Sequence, residues 1–281
     1  MTNPIVVGTD GSPSAEHAVE WAAAEAARRR RRLHIVYAVQ PRGFGLAYCP
    51  GPGDVAWLTE GGENILVRAA ELAAKAAPDI TVTTELAFEA PGYALREQAG
   101  RAAEVVVGHR GLGGFAGLLL GSTSLSLAGH TSCPLIVVRG GTDDERKEVL
   151  VGVELHEDES TRVLEYAFET AAIRGGWVRA VHTWEAPPTM FDGAYPVNAR
   201  EALSAAQNRL SDAVAPWRNR YTDIRVIEEA PSGQPVDELV KRSDRAELLV
   251  VGSHRRGAGG HVGSISHGVI HHSECPVAVI P

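Results

Sequence analysis

Residues 105–124, VVVGHRGLGGFAGLLLGSTS, place glycines at 108, 111, 113, 114, 117 and 121 directly after an apolar, β-branched run, and end on Ser122-Thr123-Ser124. Glycine at that density weakens any regular element, so the stretch needs bare backbone. Backbone N–H groups with no Cβ beside them can approach an anion closely. Hydroxyls and unpaired amides at the start of a helix would complete a phosphate cradle. A second constellation, Gly8-Thr9-Asp10-Gly11, follows another apolar run near the N-terminus. The spacing Gly108-x2-Gly111-x9-Gly121-Ser122 is not a Walker A loop, because no Gly-Lys-Ser/Thr follows, and it is not a dinucleotide GxGxxG. Asp10 is the one evident base beside these glycines, and no activated nucleophile accompanies it. His109 reads as a loop residue or a phosphate contact.

Strands must hold both constellations. IVVG (5–8) reads as a short buried strand, and Ser12-Pro13-Ser14 opens a helix with a hydroxyl N-cap and proline in the first turn. Ala15, Ala18, Val19, Ala22 and Ala26 give that helix an apolar stripe. Further strands are expected at 33–39, 80–87, 104–108 and 135–139, with helices over about 60–77, about 92–101 and from near Ser122. Such alternation makes a parallel sheet covered by helices on both faces. Ligands of such sheets bind beyond the carboxyl ends of the strands, where the strand order reverses.

The chain carries this plan twice. Gly8 pairs with Gly152, Asp79 with Asp223 and Gly108 with Gly252, each 144 residues apart; Cys133-Pro134 matches Cys275-Pro276 at 142. The expected fold class is therefore α/β: two tandem Rossmann-like domains, each a five-stranded parallel sheet flanked by helices. The expected boundaries are 1–140 and 149–281, joined by the polar linker 141–148.

The glycine spacing matches the G-x2-G-x9-G-[S/T] pattern of the ATP-binding branch of the universal stress protein family. IVVGTDGSPSAEHAVEWAAAEA resembles that family's first strand and helix, and CPLIVV resembles its terminal strand. The resemblance covers both copies and implies an adenine nucleotide alpha hydrolase-like fold that holds ATP with Mg2+. Gly8, Thr9 and Asp10 would line the nucleoside side, and Ala38 and Val39 would offer backbone to adenine. Val107, Gly108 and Gly111 would flank ribose and phosphates, while Gly121, Ser122, Thr123 and Ser124 would hold the phosphate chain. Whether Asp10 meets the base, the ribose or the ion stays open.

In the second copy the matching positions are Val153, Glu154, Gly252, Arg255, Gly263, Ser264, Ile265 and Ser266. There Glu154 replaces Asp10, Leu155-His156-Glu157-Asp158 replaces Gly11-Ser12-Pro13-Ser14, and the glycine loop is two residues shorter. The added carboxylates should repel an anionic ligand, so the second copy is expected to bind nucleotide less well. The function implied is an ATP-binding regulatory protein of the stress response. A slow ATPase and a nucleotide-free dimerisation scaffold are the alternatives. The family dimerises through its last strand, so LIVVR (135–139) and VAVIP (277–281) are expected to pair within one chain, or between chains in a homodimer.

The 281 residues carry a net charge of −8, with 44% hydrophobic and 22% charged residues. That balance belongs to a soluble globular chain and argues against a nucleic-acid or anionic-membrane partner. The five arginines at 28–32 end a helix, where cations complement the dipole and stay solvated. No apolar run is long enough to span a bilayer and the N-terminus lacks signal-peptide features, so a cytoplasmic location is expected. The three cysteines, Cys49, Cys133 and Cys275, suggest a reducing compartment. The histidines of the tail match no standard zinc spacing. The Pro/Gly-rich loop QPRGFGLAYCPGPGD (40–54) reads as a surface segment or a lid beside the site.

Overall fold

The computed structural model describes residues 2–39, 52–112, 120–139, 146–155, 157–184, 199–253 and 263–281. They fall into two compact units that divide after Arg139.

In the first unit, β1 (Ile5–Thr9), β2 (Leu33–Ala38), β3 (Val82–Ala87), β4 (Glu104–Gly108) and β5 (Leu135–Val138) alternate with α1 (Pro13–Arg28), α2 (Pro52–Ala76), α3 (Pro91–Ala99) and α4 (Ser122–Ala128). The strands lie in the order β3-β2-β1-β4-β5 and every pair is parallel. The order therefore reverses between β1 and β4, which leaves a crevice at their carboxyl ends.

Central strands are apolar on both faces because helices cover both sides. Ile5, Leu33, Ile35, Val105, Leu135 and Ile136 are fully buried, whereas the edge strand β3 carries the polar run Thr83-Thr84-Glu85. Ser12 caps α1 by accepting a hydrogen bond from the Ala15 amide at 3.2 Å. The small stripe Ala18, Ala22 and Ala26 is buried and lets the helix axis approach the sheet closely.

The second unit repeats the plan with β6 (Glu148–Gly152), β7 (Trp177–Val181), β8 (Val226–Glu229), β9 (Leu248–Gly252) and β10 (Val277–Ile280), together with α5 (Glu157–Arg174), α6 (Ala199–Arg220), α7 (Pro235–Ser243) and α8 (Ser264–His272). Its order is β10-β9-β6-β7-β8, again all parallel. The two copies are not in one register throughout. Gly8 stands opposite Val36, but Gly152 stands opposite Val181, so β7 is displaced by one residue relative to the offset of its neighbours.

Two expectations need revision. α2 begins at Pro52 rather than near residue 60, because a proline suits the first helical position and the following residues continue the turn. Residues 52–54 of the expected lid segment therefore belong to a helix, and residues 40–51 lie outside the described residues. β3 starts at Val82 instead of Ile80, since Ile80 hydrogen-bonds back to the Ala77 carbonyl in a turn.

Candidate functional site

The candidate site of the first unit is assembled from three backbone segments at the carboxyl ends of β1 and β4. Asp10 joins two of them. Its Oδ1 accepts from the Ser12 amide at 3.0 Å, and its Oδ2 accepts from the Leu112 amide at 2.7 Å. One carboxylate thus ties the turn after β1 to the loop after β4. The Thr9 hydroxyl oxygen accepts from the Gly11 amide at 3.3 Å, and Gly11 turns the chain with a φ of 77°, where a side chain would be strained.

The glycine loop closes on itself. The Gly121 amide donates to the His109 carbonyl at 2.8 Å, which brings the start of α4 back to the end of β4. Ser124 is buried, and its hydroxyl donates to the Gly108 carbonyl at 2.8 Å. That hydroxyl therefore serves the scaffold rather than facing the crevice. Ser122 is exposed and Thr123 half-buried, at a helix start that no side chain caps.

Two glycines have reasons internal to the protein. A Cβ on Gly108 would sit 2.6 Å from the Ser14 carbonyl oxygen, so the first turn of α1 lies against bare backbone. A Cβ on Gly111 would sit 2.2 Å from Asp10 Oδ2. Gly111 is thus the floor on which the Asp10 carboxylate rests. Around Gly121 there is only ordinary contact, the nearest atom being the His109 carbonyl oxygen at 3.5 Å.

His109, Ser12 and Ser14 complete the framework. His109 Nδ1 lies 3.0 Å from Ser14 Oγ and 3.3 Å from the Val138 carbonyl oxygen. A carbonyl only accepts, so this nitrogen carries the proton. Burial first, and then the charge of Arg139, holds the imidazole below its ordinary range and keeps it neutral. The ring is thus bonded to α1 and the end of β5. Ser14 Oγ also accepts from the Arg110 amide at 3.3 Å, and Ser12 Oγ donates to the Arg110 carbonyl at 3.4 Å.

At the carboxyl ends of β1 and β2, Thr9 stands opposite Tyr37, with Ala38 ending β2. The Val39 amide donates to the Ala87 carbonyl at 2.9 Å and is used by the sheet. Burial, and then the Asp10 carboxylate, pushes the Tyr37 hydroxyl above its usual range. Val107 is buried within β4.

Gly8–Asp10, Ala38, Val39, Val107, Gly108, Gly111 and Gly121–Ser124 therefore all gather at one end of one sheet. Tyr37, Ser12 and Ser14 are not among the residues the motif names, and His109 is named only as a loop residue or a phosphate contact. The only signal for them was adjacency to the motif, because their partners lie far away along the chain.

The second unit keeps the clasp and changes the lining. The Gly263 amide donates to the Ser253 carbonyl at 3.2 Å, and Ser266 donates to the Gly252 carbonyl, as in the first unit. The ends of the shortened loop thus meet as before, and the two-residue deletion is taken up within 254–262, outside the described residues together with Arg255. Ser264 is exposed and Ile265 half-buried. The Val153 amide donates to the Val181 carbonyl at 2.8 Å, and the Val153 carbonyl faces His182 Nδ1 at 3.0 Å. Glu154 and His182 stand where the first unit has Asp10 and Tyr37. Burial lowers the pKa of His182.

Among the described residues no group of three or more His, Cys, Asp or Glu is placed to hold a metal ion, and no helix is long and apolar enough to cross a membrane.

A parallel sheet with a switch-point crevice, repeated in tandem, defines a class of α/β domain, and comparison with known proteins gives its family. The model of the universal stress protein family matches residues 1–139 and again 145–281, and the chain belongs to that family. A universal stress protein of Mycobacterium tuberculosis is 33% identical over 98% of this chain and 96% of its own length. The crystal structure of a universal stress protein from Archaeoglobus fulgidus covers 99% of this chain and 96% of that chain, with a TM-score of 0.75 at 20% identity, a likeness of fold. A universal stress protein crystallised in complex with cAMP is 30% identical, covering 50% of this chain and 98% of that one, with a TM-score of 0.37.

Proposed function

We propose that the first unit binds ATP and that its occupancy sets the conformation or partner surface of a regulatory protein of the stress response. The observation that carries this reading is the Asp10 junction. One carboxylate holds the turn after β1 and the loop after β4 together at the switch point, on a glycine that leaves it room.

Fit of the group can be judged from these residues. Ser122 and Thr123 present a helix start with no side-chain cap, next to a loop drawn in by the Gly121–His109 bond. Anionic oxygens suit such unpaired amides. Ala38 and Tyr37 bound the side where a base would lie. A Mg2+ ion accompanying the phosphates would be held by phosphate oxygens and water, as Mg2+ commonly is. The chain's own residues hold and orient the ligand. His109 is held through Nδ1 by Ser14 and Val138.

The second unit, with Glu154 for Asp10 and a shorter loop, is the weaker site in this proposal. The division into domains at 1–140 and 149–281, joined by 141–148, and assembly through the terminal strands belong to the same reading. An exclusion-column mass checks the assembly.

Equilibrium dialysis of the full chain against labelled ATP tests the proposal. The expected result is one ATP retained per chain, lost in Gly111→Val and kept in a variant with Gly252 and Gly263 replaced by alanine. No ATP retained by the unaltered chain would end the reading. Competition with cAMP in the same cell reports which adenine nucleotide the site prefers.

A further inference from the structure

A second concavity lies at the opposite, amino end of the first unit's sheet. A cavity of about 650 Å³ opens between the end of α1 and the turn before β3, lined by Thr2, Arg30, Arg31, Arg32, Asp79 and Thr81 among others. Three arginines and one aspartate line it, beside the apolar Ala26, Ala27 and Ile80, in a chain whose net charge is −8.

The arginine run that ends α1 is not uniform. Arg29 is a structural residue: its Nε lies 2.6 Å from Glu25 and 2.9 Å from Glu104, with the side chain 10% exposed. Arg28 also pairs with Glu25, at 3.9 Å. Arg31 Nη1 donates to the Asn3 carbonyl at 2.8 Å, which fixes it beside the cavity with other donors to spare. Among the described residues, neither Arg30, Arg32 nor Asp79 has an ion-pair or side-chain hydrogen-bond partner.

The backbone at Arg30 is the stronger observation. α1 is closed by the Arg31 amide donating to the Ala26 carbonyl at 2.8 Å and the Arg30 amide donating to the Ala27 carbonyl at 3.1 Å. This closure places its turn residue in the left-handed region, and Arg30 has a φ of 52°, alone among the described non-glycine residues. The second unit makes the same turn after α5. Gly176 donates to the Ala171 carbonyl at 2.9 Å, and the left-handed residue is Gly175, with a φ of 61°. Glycine takes that conformation without the clash a Cβ brings. The chain solves the turn without strain once, and in the other copy holds a long cation in the strained position. Strain kept where a cheaper residue works points to a use for the side chain.

We infer that this cavity binds a small anion bearing more than one phosphate. Arg30 and Arg32 offer planar forks that match phosphate oxygens, and Thr2 and Thr81 add hydroxyls. A concavity of this volume falls within the range of small-molecule sites and suits a compact anion better than an extended acidic peptide. The site lies across the sheet from the Asp10 junction and stands whether or not ATP binds there.

Titration calorimetry with inorganic pyrophosphate tests the inference. The full chain is used in a Gly111→Val background, so that the glycine loop does not compete. One saturable site is expected, weakened at least tenfold by Arg30→Gly and by Arg32→Gln and strengthened several-fold by Asp79→Asn. Arg30→Gly relieves the turn, so its thermal midpoint should rise while its affinity falls; misfolding cannot mimic that pairing. No saturable binding, or affinity unchanged in both arginine variants, would overturn the inference. So would equal binding of sulfate, which marks an unspecific charge patch, or tighter binding of an oligoglutamate peptide, which marks a protein partner.

Discussion

Asp10 and Gly111 should be energetically coupled, with a sign that only their contact explains. In the folded chain a methyl on Gly111 falls 2.2 Å from Asp10 Oδ2, over an ångström inside ordinary contact, so the carboxylate must swing away. That movement breaks the 2.7 Å bond from the Leu112 amide. A hydrogen bond to a charged group contributes about 1.5–3 kcal/mol, and this one is partly open to water, so Gly111→Ala alone should destabilise by about 1.5 kcal/mol. Asp10→Ala alone also loses the Ser12 bond and should cost about 2 kcal/mol. In the double variant nothing remains to collide. Gly111 has no positive φ, so alanine there restricts mainly the unfolded chain and should stabilise by about 0.4–1 kcal/mol. The second substitution thus changes sign, and the coupling is about 2 kcal/mol, well above the scatter of ~0.5 kcal/mol seen for independent sites. Urea denaturation of the four proteins measures it. Additive effects would refute the idea that Gly111 is glycine because of Asp10.

The buried hydroxyl clasps give a paired prediction. Ser124→Ala and Ser266→Ala each remove a donor from a strand-end carbonyl and should each cost about 1–2 kcal/mol. ATP retention should fall only for Ser124→Ala; a loss of stability in one unit alone would show that the clasps are not equivalent. Cys133 and Cys275 supply a pH prediction. Both are buried, and burial pushes both thiols from 9.0 up to about 12. With Cys49 replaced by serine, the native chain should not react rapidly with Ellman's reagent at pH 8, and reaction of either thiol without unfolding would contradict that burial. Because the folded pKa values are raised, the stability they contribute is present below about pH 9 and lost as pH climbs toward 12. That alkaline decline should shrink when both residues are replaced by alanine.

Much of this architecture is legible in the residues because its strands are buried on both faces. IVVG and EVVVG could only be internal strands, and β1 and β4 stand where those runs do. The start of α2 was not legible, because Pro52-Gly53-Asp54 has the composition of a turn while its proline sits at a position where a helix tolerates it. The gathering of motif residues at one sheet end follows from strand order. The grounds for individual glycines do not. Gly108 and Gly111 read as bare backbone for an anion, yet their nearest neighbours are Ser14 and Asp10. Contacts of this kind join residues 95 and 102 positions apart, as between His109 and Ser14 or Leu112 and Asp10, and no local pattern announces them. The single-residue displacement of β7 was hidden for a similar reason. The matched glycines flank it on both sides with an unchanged interval.

The clasp shared by the two copies bears on how such a chain can diversify. Each loop is clipped by one amide and one hydroxyl, Gly121 to the His109 carbonyl and Ser124 to the Gly108 carbonyl in one copy, Gly263 to the Ser253 carbonyl and Ser266 to the Gly252 carbonyl in the other. The intervening segment is then an exchangeable cassette: its length and chemistry can drift, or be grafted from elsewhere, while the sheet beneath keeps its form. Duplication supplies one cassette to conserve and another to spend on novelty.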